Sequence, residues 1–232
     1  MEEIQLKKVL ASGGFAFKKQ YGQNFINDAA LLDKIAELSG ADKSCEVIEI
    51  GCGAGTLTRK LAERAAFVHA YEIDKSLQPV LAQTLSGFEN VEVIFKDFLK
   101  LRLDEIEKTL PEYRVAANLP YYITTPLIMM LLEHGKKCLS ITAMVQREVA
   151  LRLCAKAGTA DYGAITANVA LYGGCKKLLD VPRENFYPVP NVDSAVIRID
   201  IEENRLGDVD KTAYRKVVQA AFSARRKTLE NN

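Results

Sequence analysis

The sequence predicts an α/β fold, a mostly parallel sheet covered by helices and closed by a late antiparallel hairpin. From Cys45 to Ala155, short apolar runs alternate with stretches of helical periodicity, the pattern of repeated strand–helix units. After the Gly158–Gly163 loop the pattern changes: two strands flank a proline-rich turn, Phe186-Tyr187-Pro188-Val189-Pro190.

In chain order, a first helix is expected over Asp28–Ser39, with Asn27 or Asp28 as its cap and Gly40 closing it. Cys45–Ile50 is an apolar strand leading into a glycine loop and a helix near Thr56–Ala65. Phe67–Glu72 is the second strand, followed by a helix around Lys75–Leu85. Val91–Phe95 and Tyr113–Asn118 are the third and fourth strands. Thr124 or Thr125 can cap a helix to His134, with Pro126 tolerated in its first turn and Gly135 after its end. Leu139–Val145 is a fifth strand and Gln146–Ala155 another helix. A helix over Ala164–Tyr172 precedes the strands Lys176–Val181 and Ser194–Ile201. In the last strand Ala195, Ile197, Ile199 and Ile201 alternate with Val196, Arg198 and Asp200, which suits a hairpin at a sheet edge.

Composition narrows the function classes. The 232 residues are 48% hydrophobic, enough for one substantial core. No apolar run is long enough to span a membrane, and the N-terminus lacks the basic start and apolar block of a secretory signal, so a cytoplasmic protein is expected. Cys45, Cys52, Cys138, Cys154 and Cys175 form no C-x-x-C pair and read as buried thiols, neither a zinc site nor a disulfide frame. Net charge is only +1, but basic residues gather at the ends. Lys7, Lys8, Lys18 and Lys19 lie at the start; Arg205, Lys211, Arg215, Lys216, Arg225, Arg226 and Lys227 lie at the finish. Two solvated helical faces explain such clusters; a groove tracking phosphates is the functional alternative.

The run Glu49-Ile50-Gly51-Cys52-Gly53-Ala54-Gly55 follows a strand and opens a helix. Its glycines allow a tight turn and close approach of a ligand to the backbone. A dinucleotide site wants G-x-G-x-x-G, to set a pyrophosphate on the helix N-terminus. Here the third glycine comes one residue early and an acid precedes the first. S-adenosylmethionine carries an ammonium and a sulfonium and no phosphate, so a carboxylate at the loop suits it better than NAD. Glu72, ending the second strand, is placed to accept both hydroxyl hydrogens of a ribose, and Asp97, after the third, to accept from an adenine amine.

Asn118-Leu119-Pro120-Tyr121 follows the fourth strand, at the carboxyl edge where open α/β sheets bind ligands. An adenine amine is a poor nucleophile because its lone pair is delocalised into the ring. Accepting both N–H hydrogens, at the Asn118 side-chain oxygen and the Leu119 carbonyl, favours a pyramidal nitrogen. Pro120 stiffens the turn and Tyr121 offers a stacking ring. The remaining catalysis is alignment, with no strong base or metal required. His69 and His134 are isolated and read as structural or solvent-facing. A base must leave its stack to enter such a pocket, so a second aromatic clamp is expected: Phe186, or alternatively Tyr187. Parallel units ending in a hairpin fit the seven-stranded sheet of Rossmann-like class I S-adenosylmethionine-dependent methyltransferases better than a dinucleotide-binding sheet.

With these motifs the chain resembles the KsgA (RsmA) type of ribosomal RNA adenine dimethyltransferases. The likeness covers nearly the whole length: Tyr21-Gly22-Gln23-Asn24-Phe25-Ile26-Asn27-Asp28, Glu49–Gly55, Glu72-Ile73-Asp74, Lys96-Asp97-Phe98, Asn118–Pro126, Asp161-Tyr162-Gly163, Phe186–Ser194 and Phe222–Asn232. It implies that Gln23, Asn24 and Ile26 line the cofactor pocket alongside Gly51, Glu72, Asp97 and Asn118, which Gly53 and Gly55 join from the glycine-loop reading, and it supports Phe186 as the clamp. It also implies S-adenosylmethionine as cofactor and, as product, N6,N6-dimethyladenosine at two adjacent positions of small-subunit rRNA on an immature 30S subunit, the enzyme acting as a monomer. On this reading residues 1–27 help bind cofactor and RNA, 28–203 form the methyltransferase domain, and 204–232 begin a basic helical region. Members of the family usually continue from Arg225-Arg226-Lys227-Thr228-Leu229 into a small helical domain; here Asn232 falls where that domain would begin. Two other readings are a related large-subunit rRNA adenine methyltransferase conferring macrolide resistance, and a non-enzymatic nucleic-acid-binding factor. The wording of Gly22–Phe25 and Asn118–Pro126 favours the small-subunit type.

Overall fold

The structure, a computed structural model, describes residues 3–18, 22–203, 205 and 207–223. The motif residue Tyr21 and the basic residues Lys19, Arg225, Arg226 and Lys227 lie outside the described residues. The chain opens with helix α1 (Glu3–Ser12), whose Leu6 and Leu10 are buried, and the short strand β1 (Phe25–Ile26). Helix α2 (Ala29–Leu38) begins at Asp28, whose Oδ1 accepts from Ala30 N at 2.8 Å and Leu31 N at 3.1 Å. Those bonds satisfy two of the N–H groups a helix start leaves open.

Four strand–helix units follow: β2 (Glu46–Ile50) with α3 (Thr56–Arg64), β3 (Phe67–Glu72) with α4 (Gln78–Thr84), β4 (Val91–Phe95) with α5 (Leu103–Ile106), and β5 (Tyr113–Asn118) with α6 (Thr124–His134). Then come β6 (Cys138–Gln146), α7 (Arg147–Leu153), α8 (Ala164–Ala170), β7 (Gly173–Val181), β8 (Phe186–Tyr187), β9 (Ser194–Ile201) and α9 (Lys211–Ala221). Seven strands form one sheet in the order β4-β3-β2-β5-β6-β9-β7. Strands β2 to β6 run parallel, and β9 is antiparallel to both β6 and β7. The expected mostly parallel sheet with a terminal hairpin is therefore present, with β9 one strand in from the edge.

The central strands are apolar on both faces because both are covered. Val47, Ala116 and Val196 join one cluster with Leu32, Leu61 and Leu81; Ile48, Val115 and Ile197 join the other with Leu127, Ile128 and Leu131. Period-two alternation sends neighbouring residues to opposite layers. Each fully buried leucine or isoleucine contributes roughly 1.5–3 kcal/mol.

Two local expectations shift for identifiable reasons, and one contact is new. The Lys75–Leu85 helix splits into a turn at Lys75–Leu77, capped by Asp74, and then α4, because Pro79 has no N–H to continue a ladder and sits in a first turn. Neither Thr124 nor Thr125 caps α6: Ile123 holds that position without a side-chain bond, and Thr124 Oγ1 bonds the Pro120 carbonyl instead. Strands β1 and β8 pair antiparallel, Phe25 opposite Tyr187 and Ile26 opposite Phe186, a contact absent from the sequence reading.

Register gathers the ligand-binding edge. Ile50 aligns with Tyr71 on one side and Ala117 on the other, and Glu72 aligns with Phe95. The residues that follow, Gly51, Glu72, Lys96-Asp97 and Asn118, therefore emerge side by side at the carboxyl ends. Strand order reverses between β2 and β5, the position where open α/β sheets leave a crevice.

Candidate active site

A cleft at that reversal is lined by Gln23, Asn24 and Ile26 from the N-terminal segment, Glu49 near the end of β2 with Gly51 and Gly53 from the loop after it, Glu72 at the end of β3, Asp97 just beyond β4, and Asn118 to Tyr121 at the end of β5 and in the turn after it. Of the residues expected there, two are not. Gly55 caps α3 at φ +77°, and a Cβ on it would meet Thr84 Oγ1 at 2.9 Å and Leu81 Cδ2 at 3.1 Å. It serves the close packing of α3 on α4 and does not face the cleft. Phe186 is 2% exposed, a core residue in the β1–β8 pairing, and does not line the cleft. Its ring is shielded by packing, so it offers no face to a base in this arrangement. The alternative, Tyr187, stacks edge-on against Phe17 at 5.4 Å and also stands outside the cleft.

The glycine loop is pinned by backbone bonds. Gly51 N and Cys52 N both donate to the Tyr71 carbonyl, at 2.9 and 3.1 Å. Gly53, at φ +57°, lies so close to Phe25 that a Cβ would sit 2.8 Å from its ring. Gly53 N donates to Glu72 Oε2 at 2.8 Å, while Ile73 N and Asp74 N donate to Glu72 Oε1 at 2.8 Å each. A carboxylate has roughly four lone-pair sites. With three engaged, Glu72 has room for one further hydroxyl donor, not the pair expected. Burial raises its pKa, opposed by the backbone bonds from Asp74, Gly53 and Ile73.

Glu49 differs in kind. It is 1% exposed, and its Oε2 has no hydrogen-bond partner among the described residues. Burial, with a contribution from the charge of Glu72, pushes its pKa up to about 8. A buried carboxyl with an orphaned oxygen, lining a cleft, is built to meet a cation. Asp97 caps the turn after β4, accepting from Leu99 N at 3.2 Å, with Lys100 Nζ 3.4 Å from its other oxygen.

Asn118 is oriented from outside its own loop. Its Nδ2 donates to the Asn24 carbonyl at 3.0 Å, which leaves Oδ1 for a ligand. Leu119 N donates to the Met144 carbonyl, and the Pro120 carbonyl accepts from Ile123 N, so the turn is closed on both sides. The Tyr121 hydroxyl bonds Ser194 Oγ at 2.9 Å, tying the loop to the start of β9; burial raises the phenol pKa.

Sequence reasoning missed Asp74 as an anchor. Its Oδ2 accepts from Gln23 Nε2 at 2.9 Å and its Oδ1 from Lys18 Nζ at 2.6 Å, while Gln23 Oε1 accepts from Lys18 N. Burial works against the carboxylate, but the bonds from Lys18, Ser76 and Gln23 hold Asp74 below the usual range. The signal was an acid two residues beyond Glu72, with nothing local to name its distant partners. The basic ends are also less available than expected. Lys18 is on Asp74, Arg205 pairs with Glu202, and Arg215 contacts Tyr172 and Glu133.

Residues 14–232 match the family model for ribosomal RNA adenine dimethylase. The chain belongs to that family. Within it, the chain is 45% identical over 234 residues to the ribosomal RNA small subunit methyltransferase A of Bacillus licheniformis, covering 99% of this chain and 80% of that protein. It is 46% identical over 231 residues to the protein of the same name from Geobacillus thermodenitrificans, covering 97% and 79%. Among solved structures, a dimethyladenosine transferase from Plasmodium falciparum aligns with TM-score 0.78 and 31% identity over 88% of this chain and 73% of that one. The 23S rRNA methyltransferase ErmE aligns with TM-score 0.76 and 30% identity over 89% and 82%. The fold is thus that of the class I methyltransferases, and the chain is an rRNA methyltransferase of the adenine dimethylase family.

Proposed function

We propose that this chain transfers methyl groups from S-adenosylmethionine to the N6 amines of two adjacent adenosines in small-subunit rRNA, giving N6,N6-dimethyladenosine. It acts as a monomer on the immature 30S particle in the cytoplasm, with 28–203 as the catalytic unit and 1–27 completing the cofactor and RNA sites. The observation that carries the reading is the Asn118 amide. Its nitrogen is engaged by Asn24, which leaves its oxygen to accept from a ligand, and Asn118 lines the same cleft as the glycine loop and Glu49.

The residues fit the cofactor. The orphaned Glu49 Oε2 suits its ammonium, Gly53 lets the chain approach closely, Glu72 can accept a ribose hydroxyl, and Asp97 an adenine amine. Gln23, Asn24 and Ile26 complete the wall. When bound, S-adenosylmethionine supplies a methyl group activated by a sulfonium. The chain's own part is to bind, orient and exclude water. Asn118 Oδ1 and the Leu119 carbonyl accept the two N–H hydrogens of the target amine, Pro120 fixes the turn, and Tyr121 supports the ring of the base. Glu49, Glu72 and Asp97 place three carboxyl groups where a cationic ligand binds.

Mass spectrometry of rRNA from 30S particles lacking the modification, after incubation with the protein and S-adenosylmethionine, tests the reading. N6,N6-dimethyladenosine at two adjacent positions is expected. Methylation of 50S particles instead would support the large-subunit reading, and no methylation of either would support a non-enzymatic factor.

A further inference from the structure

Away from the cleft, Cys154 at the C-terminal end of α7 and Cys175 in β7 hold their sulfurs 2.9 Å apart. Cys45, Cys52 and Cys138 are buried, but this pair is only half-buried and lines an open groove with Lys156, Asp161, Lys176 and Lys177. Helix α7 already packs against β7. The sulfurs stand within about 1 Å of bonding distance, so they need approach only a little further for a bond to form.

We propose that Cys154 and Cys175 form a redox-active dithiol, which hydrogen peroxide converts to an intramolecular disulfide. Cys154 is the attacking thiol. The hydrogen bond the two sulfurs share, with help from Lys177 and against burial, holds the Cys154 pKa below the ordinary value, and the same bond together with burial pushes Cys175 up. The Cys154 thiolate attacks one peroxide oxygen, the O–O bond breaks, and the departing hydroxide takes a proton to leave as water. Cys154 is then a sulfenic acid. The Cys175 sulfur attacks the Cys154 sulfur, the S–O bond breaks, and a second water leaves with the Cys175 proton. Two thiols lose two electrons in all and peroxide is reduced to two waters. The new bond closes residues 155–174 into a loop containing α8.

The full chain, treated with hydrogen peroxide, denatured and titrated for thiols, tests this. Titratable thiols should fall from five to three. Trypsin should then yield the 153–156 and 157–176 peptides joined with loss of two hydrogens, and dithiothreitol should separate them. In Cys175→Ser, dimedone should trap a sulfenic acid at Cys154; in Cys154→Ser, Cys175 should give none. Absence of the joined peptides from the oxidised wild-type chain would overturn the proposal. So would oxidation spread evenly over all the cysteines, a result that needs no variant to fold.

Discussion

Replacing Glu49 with Gln keeps the shape of the side chain and removes its titration. In the folded chain the Glu49 carboxyl is raised from an ordinary 4.5 to about 8, chiefly by burial. Because the folded value lies above the unfolded one, the native chain keeps this proton between about pH 4.5 and about pH 8, where the unfolded chain has released it. The stability it contributes is full below about pH 4.5 and fades as pH rises to about 8, a span worth about 5 kcal/mol at about 1.4 kcal/mol per pH unit. Urea unfolding at about pH 6 and about pH 8.5 should therefore show the wild-type chain losing about 3 kcal/mol more than Glu49→Gln over that interval. Other titrating groups cancel in the comparison. If Glu49 meets an ammonium, binding favours its ionised form. S-adenosylhomocysteine, which carries that ammonium, should release about one proton on binding near pH 7, read by calorimetry in buffers of different ionisation enthalpy. Glu49→Gln should release almost none and bind more weakly. Equal pH slopes for the two chains, with no buffer dependence of the wild-type enthalpy, would refute the reasoning.

Asn118→Ala should lower methyl transfer to 30S particles by about a hundredfold, the scale of losing one preorganised polar contact at a reacting group. Its affinity for S-adenosylhomocysteine, measured by calorimetry, should stay within about threefold of wild type. Tyr121→Phe removes the 2.9 Å bond to Ser194 and should cost about 1 kcal/mol of stability in urea unfolding. Its transfer rate should fall about fivefold, and Ser194→Ala added to it should have little further effect on that rate. Gly55→Ala forces a side chain into a left-handed conformation 2.9 Å from Thr84 Oγ1 and should destabilise by about 1–3 kcal/mol. Its cofactor affinity in the folded chain should be retained, unlike that of Gly53→Ala, which meets Phe25 inside the cleft.

Much of the sheet was legible because its strands are apolar runs ending in polar residues. Phe67–Glu72, Val91–Phe95 and Tyr113–Asn118 have the bounds their composition predicts, and parallel register does the rest, bringing Glu72, Asp97 and Asn118 to one edge. Long-range choices were not legible. Strands β1 and β8 are two residues each, too short for any period to register, yet their pairing buries Phe186 and removes it from the cleft. Gly55 looks like its neighbours in the motif, and only the nearness of α4 distinguishes it. Cys154 and Cys175 read as ordinary buried thiols until the packing of α7 on β7 brings them together.

A crystal structure with S-adenosylhomocysteine and adenosine bound would put the proposed geometry to the test. The adenosine N6 should lie within about 3.2 Å of Asn118 Oδ1, its ring against Tyr121, with the ammonium of the other ligand at Glu49. An adenosine held elsewhere, or an Asn118 amide turned away from N6 while Asn24 keeps its nitrogen, would contradict it.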